Sequence, residues 1–511
     1  MRRVAAVLIA AVLVGGCGSG KSIITAGRQP AAPTTQAPAT TVTLPPGETL
    51  PAGVTTPPPP TTVAVTTTST PLDTLPDCPT DALASAGGTV NLTFWHGMGG
   101  PLGDELQNLT DAYNDGQSKV KVTLIEGSYE QTIDKYLQSG QGNRPDLVQM
   151  PEYMVQTMVD SQSAVPADAC IKDSGFDTSP FLPTGLGAYA TQGVQWSMPF
   201  NISNPVLFYN KKMFTAAGLD PEKPPASLEE LRADSEAIVQ SGVAKYGMAL
   251  DSGFDSGGGW YIEQWFAKAG EFYADNQNGR TARATQVLYN NDTGVSLLTF
   301  MQQLVADGLA VNVGDNSTTG FDNLLKLADN AEPAAMTIAT SASIGPVITV
   351  LGGGQFPQIS NADVGVAPMP GPDGKPGALV GGASLWVVDT GDDVRTAAAW
   401  DYITFLTAAQ QQSQWSSATG YLPVRDDAVT LDPLKTTWTT DPRFKVPYDQ
   451  LLSSPDTPTS LGPIVGPLRE VRTVTAQAVA AILGGADVAS QLANAAQQAD
   501  ALIADYNSRN G

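Results

Sequence analysis

His96 is the single histidine of the 511-residue chain, and histidine is the commonest general base near neutral pH. One histidine gives one candidate for that role and excludes a metal site built from several histidines. It lies in Phe94-Trp95-His96-Gly97-Met98-Gly99-Gly100, where alternating apolar residues give way to a glycine-rich loop. Such a loop, at the carboxyl end of a parallel strand, is where α/β proteins place ligands. Ligand contact and a structural hydrogen bond are both open to His96. The 50 Asp and Glu residues must produce chance pairs that mimic a glycosidase dyad, and none stands out by context. Gly15, Gly20, Lys21 and Ser22 have phosphate-loop spacing. No strand precedes them and a Pro/Thr tract follows, so nothing would aim the loop's amides. Asp275 to Gly279 starts like a calcium loop but lacks the acidic residue at its third position and the closing Glu, and reads as a turn. No metal ligand set and no catalytic set emerges.

The elements that must position these residues follow from periodicity. Val90, Leu92 and Phe94 alternate as a strand, and Leu102, Leu106, Leu109 and Tyr113 recur at helical spacing. Val120, Val122 and Leu124 predict a second strand, Tyr129, Ile133 and Leu137 a second helix, and Leu147 and Val148 a third strand. Repeated βαβ units imply a mostly parallel sheet covered by helices. Ser227 with Glu230 forms a capping box that opens a helix running towards Gly242. From about Val394 onward the pattern is mainly helical, with clear stretches at Trp400 to Leu406 and Val474 to Leu483.

Composition narrows the class. The 27 Lys and Arg against 50 Asp and Glu give a net charge of -23, which excludes nucleic acid and anionic membrane surfaces as electrostatic partners. Met1-Arg2-Arg3, the apolar run Val4 to Val14, then Gly15-Gly16-Cys17 predict a signal peptide over residues 1–16. The apolar run is too short to span a bilayer. The site resembles a lipobox with Cys17 lipidated, which would anchor the chain to the outer side of the cell membrane. Residues 17–77 are dominated by Pro, Thr, Ala and Val. Such a tract cannot build a core and reads as an extended stalk. Besides Cys17 only Cys78 and Cys170 remain; in an oxidising compartment a disulfide between them is expected, with two buried thiols as the alternative.

Ordered blocks carry a resemblance. Phe94-Trp95-His96, Gly127-Ser128-Tyr129-Glu130-Gln131, Pro199-Phe200-Asn201 and Pro205-Val206-Leu207-Phe208-Tyr209-Asn210-Lys211 come first. Ala217-Gly218-Leu219-Asp220-Pro221, Gly381-Gly382-Ala383-Ser384-Leu385-Trp386-Val387 and Thr419-Gly420-Tyr421-Leu422-Pro423 follow. From about Val90 to the C-terminal helices the chain resembles the extracellular solute-binding proteins of ABC importers (family 1), and within them the glycerol-3-phosphate-binding branch. The resemblance implies ligand contacts at Tyr129, Glu152, Ser203, Trp260, Thr340, Ser341, Gly382, Tyr421 and Arg472. An arginine offers paired donors to phosphate oxygens, and a glycine lets a backbone amide approach the same anion. Glu152 could accept from glycerol hydroxyls, while tyrosines supply a stacking face with a polar tip. Packing alone for Tyr421 and a surface ion pair for Arg472 are the plainer alternatives.

One departure concerns specificity. The branch has two tryptophans three residues apart, whereas this chain has Trp260 but Gly257, inside Ser256-Gly257-Gly258-Gly259. Either the pocket is wider and suits a glycerophosphodiester such as glycerophosphocholine, or Tyr261 or Trp265 fills the gap. The resemblance further implies an α/β, two-lobed periplasmic-binding-protein fold (type II), with an interlobe ligand cleft and a helical C-terminal part. The expected first lobe is 88–199 with 341–382, and the second is 200–340 with 383–511. Its implied partners are a small-molecule ligand and an ABC permease with a cytoplasmic ATPase, served by a monomer that needs no cofactor. A neutral mono- or oligosaccharide is the alternative ligand, and an exported hydrolase or a surface adhesin the alternatives in other classes.

Overall fold

The computed structural model describes residues 77–510 apart from 317–319 and 355. The predicted signal peptide, Cys17, the stalk up to residue 76 and the phosphate-loop spacing lie outside the described residues. Eleven strands build two sheets: β1 (Val90–His96), β2 (Val120–Glu126), β3 (Leu147–Pro151), β4 (Ala164–Val165), β5 (Met198–Ser203), β6 (Pro205–Asn210), β7 (Tyr246–Leu250), β8 (Ala310–Asn312), β9 (Ala334–Thr340), β10 (Val364–Pro368) and β11 (Gly381–Val388). The first sheet runs β2-β1-β3-β11-β4 with β5 also on β11, and the second runs β8-β7-β9-β6-β10. Residues 190–191 and 194–195 pair as a separate small hairpin.

The predicted early elements are present. In α1 (Pro101–Gly116) proline opens the helix and Leu102, Leu106, Leu109 and Tyr113 form its buried face. In α2 (Tyr129–Gln138) Ser128 and Gln131 make a reciprocal capping box. Leu137 does not pack as expected: it is 45% exposed, and Tyr136 takes the buried position beside Ile133. The capping box of Ser227 and Glu230 opens α3 (Leu228–Ser241), which Gly242 closes in the left-handed conformation. The second lobe adds α4 (Trp260–Ala269) and α5 (Asp292–Ala306).

Both sheets are mixed, where a mostly parallel arrangement was expected. Strands β1, β2 and β3 are parallel, but β11 runs antiparallel to β3, β4 and β5. In the second sheet β6 runs antiparallel to both β9 and β10. The lobe boundaries also differ from the expected ones. Backbone pairing puts 364–368 in the second sheet, on β6, and 383–388 in the first, on β3. Helices α6 (Asp393–Leu406) and α7 (Ala409–Thr419) pack on β1 and α1 of the first lobe, whereas α8 (Leu468–Leu483) and α9 (Val488–Asn510) pack on α5 of the second. The chain therefore crosses between lobes at Asn204, again between β10 and β11, and once more after α7.

Cys78 and Cys170 form a disulfide. It closes the start of the described chain onto the first lobe, where the Cys78 amide also donates to Asp173 Oδ2 at 2.7 Å.

Candidate ligand site between the lobes

The crossing between β5 and β6 is built around one buried asparagine. The Asn204 carbonyl accepts from the Ser341 amide at 2.9 Å, and its own amide donates to Ser341 Oγ at 3.3 Å. Its side chain donates to the Pro447 carbonyl at 2.8 Å and accepts from Gln450 Nε2 at 3.0 Å. The amide, carbonyl and side chain of Asn204 are thereby all satisfied away from water, which fixes where the lobes diverge. Ser341 and Thr340 sit at this crossing, and Thr340 Oγ1 accepts from the Ala342 amide. Ser203 is the last residue of β5, buried opposite Gly381.

On the first-lobe side a hydrogen-bond relay leads to Tyr129. The Gly97 amide donates to Gln149 Oε1 at 2.8 Å, Gln149 Nε2 to Asn201 Oδ1 at 2.7 Å, and Asn201 Nδ2 to the Tyr129 hydroxyl at 2.8 Å. The ring of Tyr129 lies over Gly97 so closely that a Cβ there would meet it at 2.3 Å, which explains a glycine after His96. Burial and the neighbouring Tyr421 hydroxyl hold the Tyr129 phenol well above its ordinary pKa, so it remains a neutral donor. Tyr421 stacks on Trp415 at 5.8 Å, and Trp415 stacks on Phe200 at 4.8 Å. Packing and proximity to Tyr129 thus coexist at Tyr421. His96 itself is buried, and its Nδ1 accepts from the Met98 amide. Burial pushes its pKa down to about 4, which makes it a neutral structural residue.

Gly382 lets β11 lie close against β5 within the first sheet, and Gly381 lets the second lobe come onto the first. At Gly382 φ is 92° and a Cβ would lie 2.0 Å from the Asn201 carbonyl, so only glycine fits. At Gly381 a Cβ would meet the Trp260 indole at 2.3 Å. Trp260 therefore rests on β11, buried, with its Nε1 unpartnered among the described residues.

Arg472 is buried at the heart of the interface. Its Nε and Nη2 donate to the two oxygens of Glu263 at 2.6 and 2.7 Å, and its Nη1 donates to Glu152 at 2.9 Å. It is no surface ion pair. The paired donors expected to face a phosphate are directed at Glu263, and Glu152, expected to accept from ligand hydroxyls, accepts from Arg472. Burial raises the pKa of both carboxyls, and the guanidinium pulls them back down. For Arg472, burial opposes the charged form and the two carboxylates more than offset it. Glu152, Glu263, Arg280 and Arg472 line one small cavity of about 10 Å³, together with Ala188, Leu379, Val380, Gly462 and Pro463. A cavity of this size has room for no solute larger than water.

Gly257 turns out to be a packing requirement. Its amide donates to Asp251 Oδ1 at 3.0 Å, and a Cβ would lie 2.1 Å from the Asp251 carbonyl. Gly258 and Gly259 approach Ala476 and the Arg472 side chain in the same way. The glycine run thus lets this loop lie flat on α8. Tyr261 and Trp265 are both buried in the second lobe, with Trp265 Nε1 donating to the Pro370 carbonyl.

Sequence reasoning did not find Gln149, Glu263 or Arg280. Glu263 had a legible signal, a carboxylate inside the apolar run Trp260-Tyr261-Ile262; Arg280 had none.

Two α/β lobes joined by several crossings, with polar and aromatic residues gathered where they meet, define a receptor that closes over a small solute. Residues 108–446 match the family described as bacterial extracellular solute-binding protein. The chain belongs to that family, whose members are substrate-binding proteins of transport systems. The sn-glycerol-3-phosphate-binding periplasmic protein UgpB of Pectobacterium atrosepticum is 32% identical over 442 residues, 83% of this chain and 94% of that protein. The protein of the same description from Yersinia pseudotuberculosis is 30% identical over 84% of this chain and 95% of its own. Among solved structures, UgpB from Mycobacterium tuberculosis in complex with glycerophosphocholine superposes with a TM-score of 0.66 at 22% identity, covering 82% of this chain and 99% of that one. The cyclic alpha-maltosyl-1,6-maltose binding protein of Arthrobacter globiformis gives 0.67 at 22% identity, over 82% and 100%. The fold is the two-lobed periplasmic-binding-protein fold, and the chain is a solute-binding protein of an ABC importer.

Proposed function

We propose that this protein captures glycerol-3-phosphate or a glycerophosphodiester such as glycerophosphocholine between its lobes and delivers it to an ABC permease driven by a cytoplasmic ATPase. It acts as a monomer outside the cytoplasm, held to the membrane by a lipid on Cys17 and set off from it by the stalk. The observation that carries this reading is that the Tyr129–Tyr421 pair and Glu152 of the Glu152–Arg472–Glu263 ion triad both lie within electrostatic reach of Tyr189. We assign Ser203, Trp260, Thr340, Ser341 and Gly382 to the ligand as further contacts. The curated relatives bind sn-glycerol-3-phosphate by description, which supports the phosphate ester.

A neutral mono- or oligosaccharide is the second reading. It is favoured by the engagement of the Arg472 fork with Glu263 and by the aromatic stack ending in Tyr421.

Thermal unfolding with glycerol-3-phosphate, glycerophosphocholine and maltose in turn decides between them. A ligand at one hundred times its Kd adds about 2.7 kcal/mol to stability, so the phosphate esters should raise the melting temperature and maltose should not. A rise with maltose alone would remove the phosphate reading.

A further inference from the structure

Tyr189 and Arg280 stand beside this site, the first with a hydroxyl that no described residue bonds and the second with a charge that no described carboxylate pairs. Tyr189 is fully buried, and its hydroxyl has no hydrogen-bond partner among the described residues. That hydroxyl lies within electrostatic reach of Glu152 and Tyr421, and of Tyr129. A buried donor without a partner costs about 1 to 3 kcal/mol, and native structures tolerate few. Its position among three residues of the ligand site gives the cost a reason.

Arg280 adjoins Tyr189 through the backbone. Its Nη1 donates to the Gly187 carbonyl at 2.7 Å and to the Ala190 carbonyl at 3.2 Å, and its Nε donates to the Gly462 carbonyl at 2.9 Å. The guanidinium thus brackets the Tyr189 segment from the second-lobe side while lining the cavity shared by Glu152, Glu263 and Arg472. Among the described residues only carbonyl dipoles answer its charge. Burial pulls its pKa down to about 9, with no carboxylate opposing that pull. Arg472, by contrast, already has two carboxylates. Of the two arginines in the cavity, Arg280 is the one whose charge awaits a counterion.

The chain spends backbone strain to put it there. Asn276, Gln277 and Asn278 have φ of 51°, 54° and 61°, and Gly279 follows at 74°. Side chains rarely adopt this left-handed region, at about 1 to 3 kcal/mol for a non-glycine residue. Asn278 fastens the turn, accepting from the Tyr273 and Ala274 amides at 2.8 and 3.0 Å and donating to the Leu461 carbonyl at 3.1 Å. This is the segment that looked like an incomplete calcium loop, and it serves to aim the residue that follows it.

We propose that Tyr189 and Arg280 form a second wall of the ligand site, which receives the anionic oxygen of the solute through the Tyr189 hydroxyl and the Arg280 charge. The class of ligand it suits is a singly charged phosphodiester of a polyol. The inference rests on the phosphate-ester reading above.

Calorimetric titration of the full chain with glycerophosphocholine, glycerol-3-phosphate and maltose tests it in wild type, Tyr189→Phe, Arg280→Gln and Arg280→Lys. Tyr189→Phe deletes only the orphan hydroxyl, so it should melt at or above the wild-type temperature yet bind glycerophosphocholine about 10-fold more weakly. Arg280→Gln should lose about 10- to 100-fold, with Arg280→Lys within about 5-fold of wild type because it keeps the charge. Wild-type affinity in both Tyr189→Phe and Arg280→Gln would overturn the second wall and leave the phosphate-ester reading standing. Equal loss in Arg280→Gln and Arg280→Lys would reduce Arg280 to a clamp on the Tyr189 segment and overturn its role. If Arg280→Gln does not fold, Arg280→Lys and Tyr189→Phe decide by the same criteria. A wild type that binds only maltose would overturn both readings together.

Discussion

Arg472 and Glu263 face each other fork to fork, two guanidinium nitrogens on two carboxylate oxygens at 2.6 and 2.7 Å, both side chains all but sealed from solvent. Glu152 approaches the same guanidinium from the first lobe. The Glu152–Arg472 contact is a joint between the lobes as much as a feature of the ligand site, and Glu263, in the same lobe as Arg472, holds the guanidinium for it.

Removing Arg472 alone should cost more than removing it together with Glu263. Arg472→Ala leaves Glu152 and Glu263 buried without a counterion and should destabilise by about 3 to 5 kcal/mol, whereas Arg472→Met with Glu263→Leu should recover the part of that loss owed to Glu263, Glu152 alone still lacking its counterion. Urea unfolding of the single and double variants measures it. Equal midpoints would show that the ion pair is not coupled to folding. The single variant is consequently a poor probe of phosphate recognition, since lost binding would be confounded with lost structure.

His96 gives the protein a defined acid sensitivity. The unfolded chain takes up its proton near pH 6.5, and the folded one only near pH 4. Between those values the folded state holds fewer protons, so stability is intact above pH 6.5 and falls as pH drops through the window. The loss reaches at most about 3 kcal/mol. His96→Asn keeps an acceptor for the Met98 amide without a titrating group. Urea midpoints at pH 7, 6, 5 and 4 should fall more steeply for wild type than for the variant; parallel curves would mean that His96 titrates normally.

Gly97→Ala tests the placement of Tyr129. The added methyl would sit 2.3 Å from the ring, so the phenol must swing away and give up its bond from Asn201. Overpacking of this kind costs about 1 to 3 kcal/mol, while solute affinity should drop at least about 10-fold. Calorimetry with glycerophosphocholine reads the second effect, and unchanged affinity would remove Tyr129 from the site.

Much of the first lobe was legible because its signals are local. The alternation of Val90, Leu92 and Phe94, and the heptad-like spacing from Leu102 to Tyr113, depend only on neighbours. Lobe membership was not legible beyond β5, because β10 and β11 are assigned by pairing with strands far away in the chain, and both are apolar enough to suit either sheet. The site shows the same division. Tyr129, Tyr421 and Arg472 were reached through the resemblance, but the partner that holds Arg472 was not, since Glu263 is 209 residues away from it in sequence. Arg280 lies further from reach: its carbonyl partners at Gly187, Ala190 and Gly462 carry no side-chain signature at all.

The disulfide between Cys78 and Cys170 has a mechanical meaning. It fastens Cys78, at the start of the described chain, to the first lobe, several elements away from the crossing at Asn204. Tension applied at residue 77 would be borne by that one lobe and would leave the other free of it. A pull at that point would turn the whole molecule without prying it open.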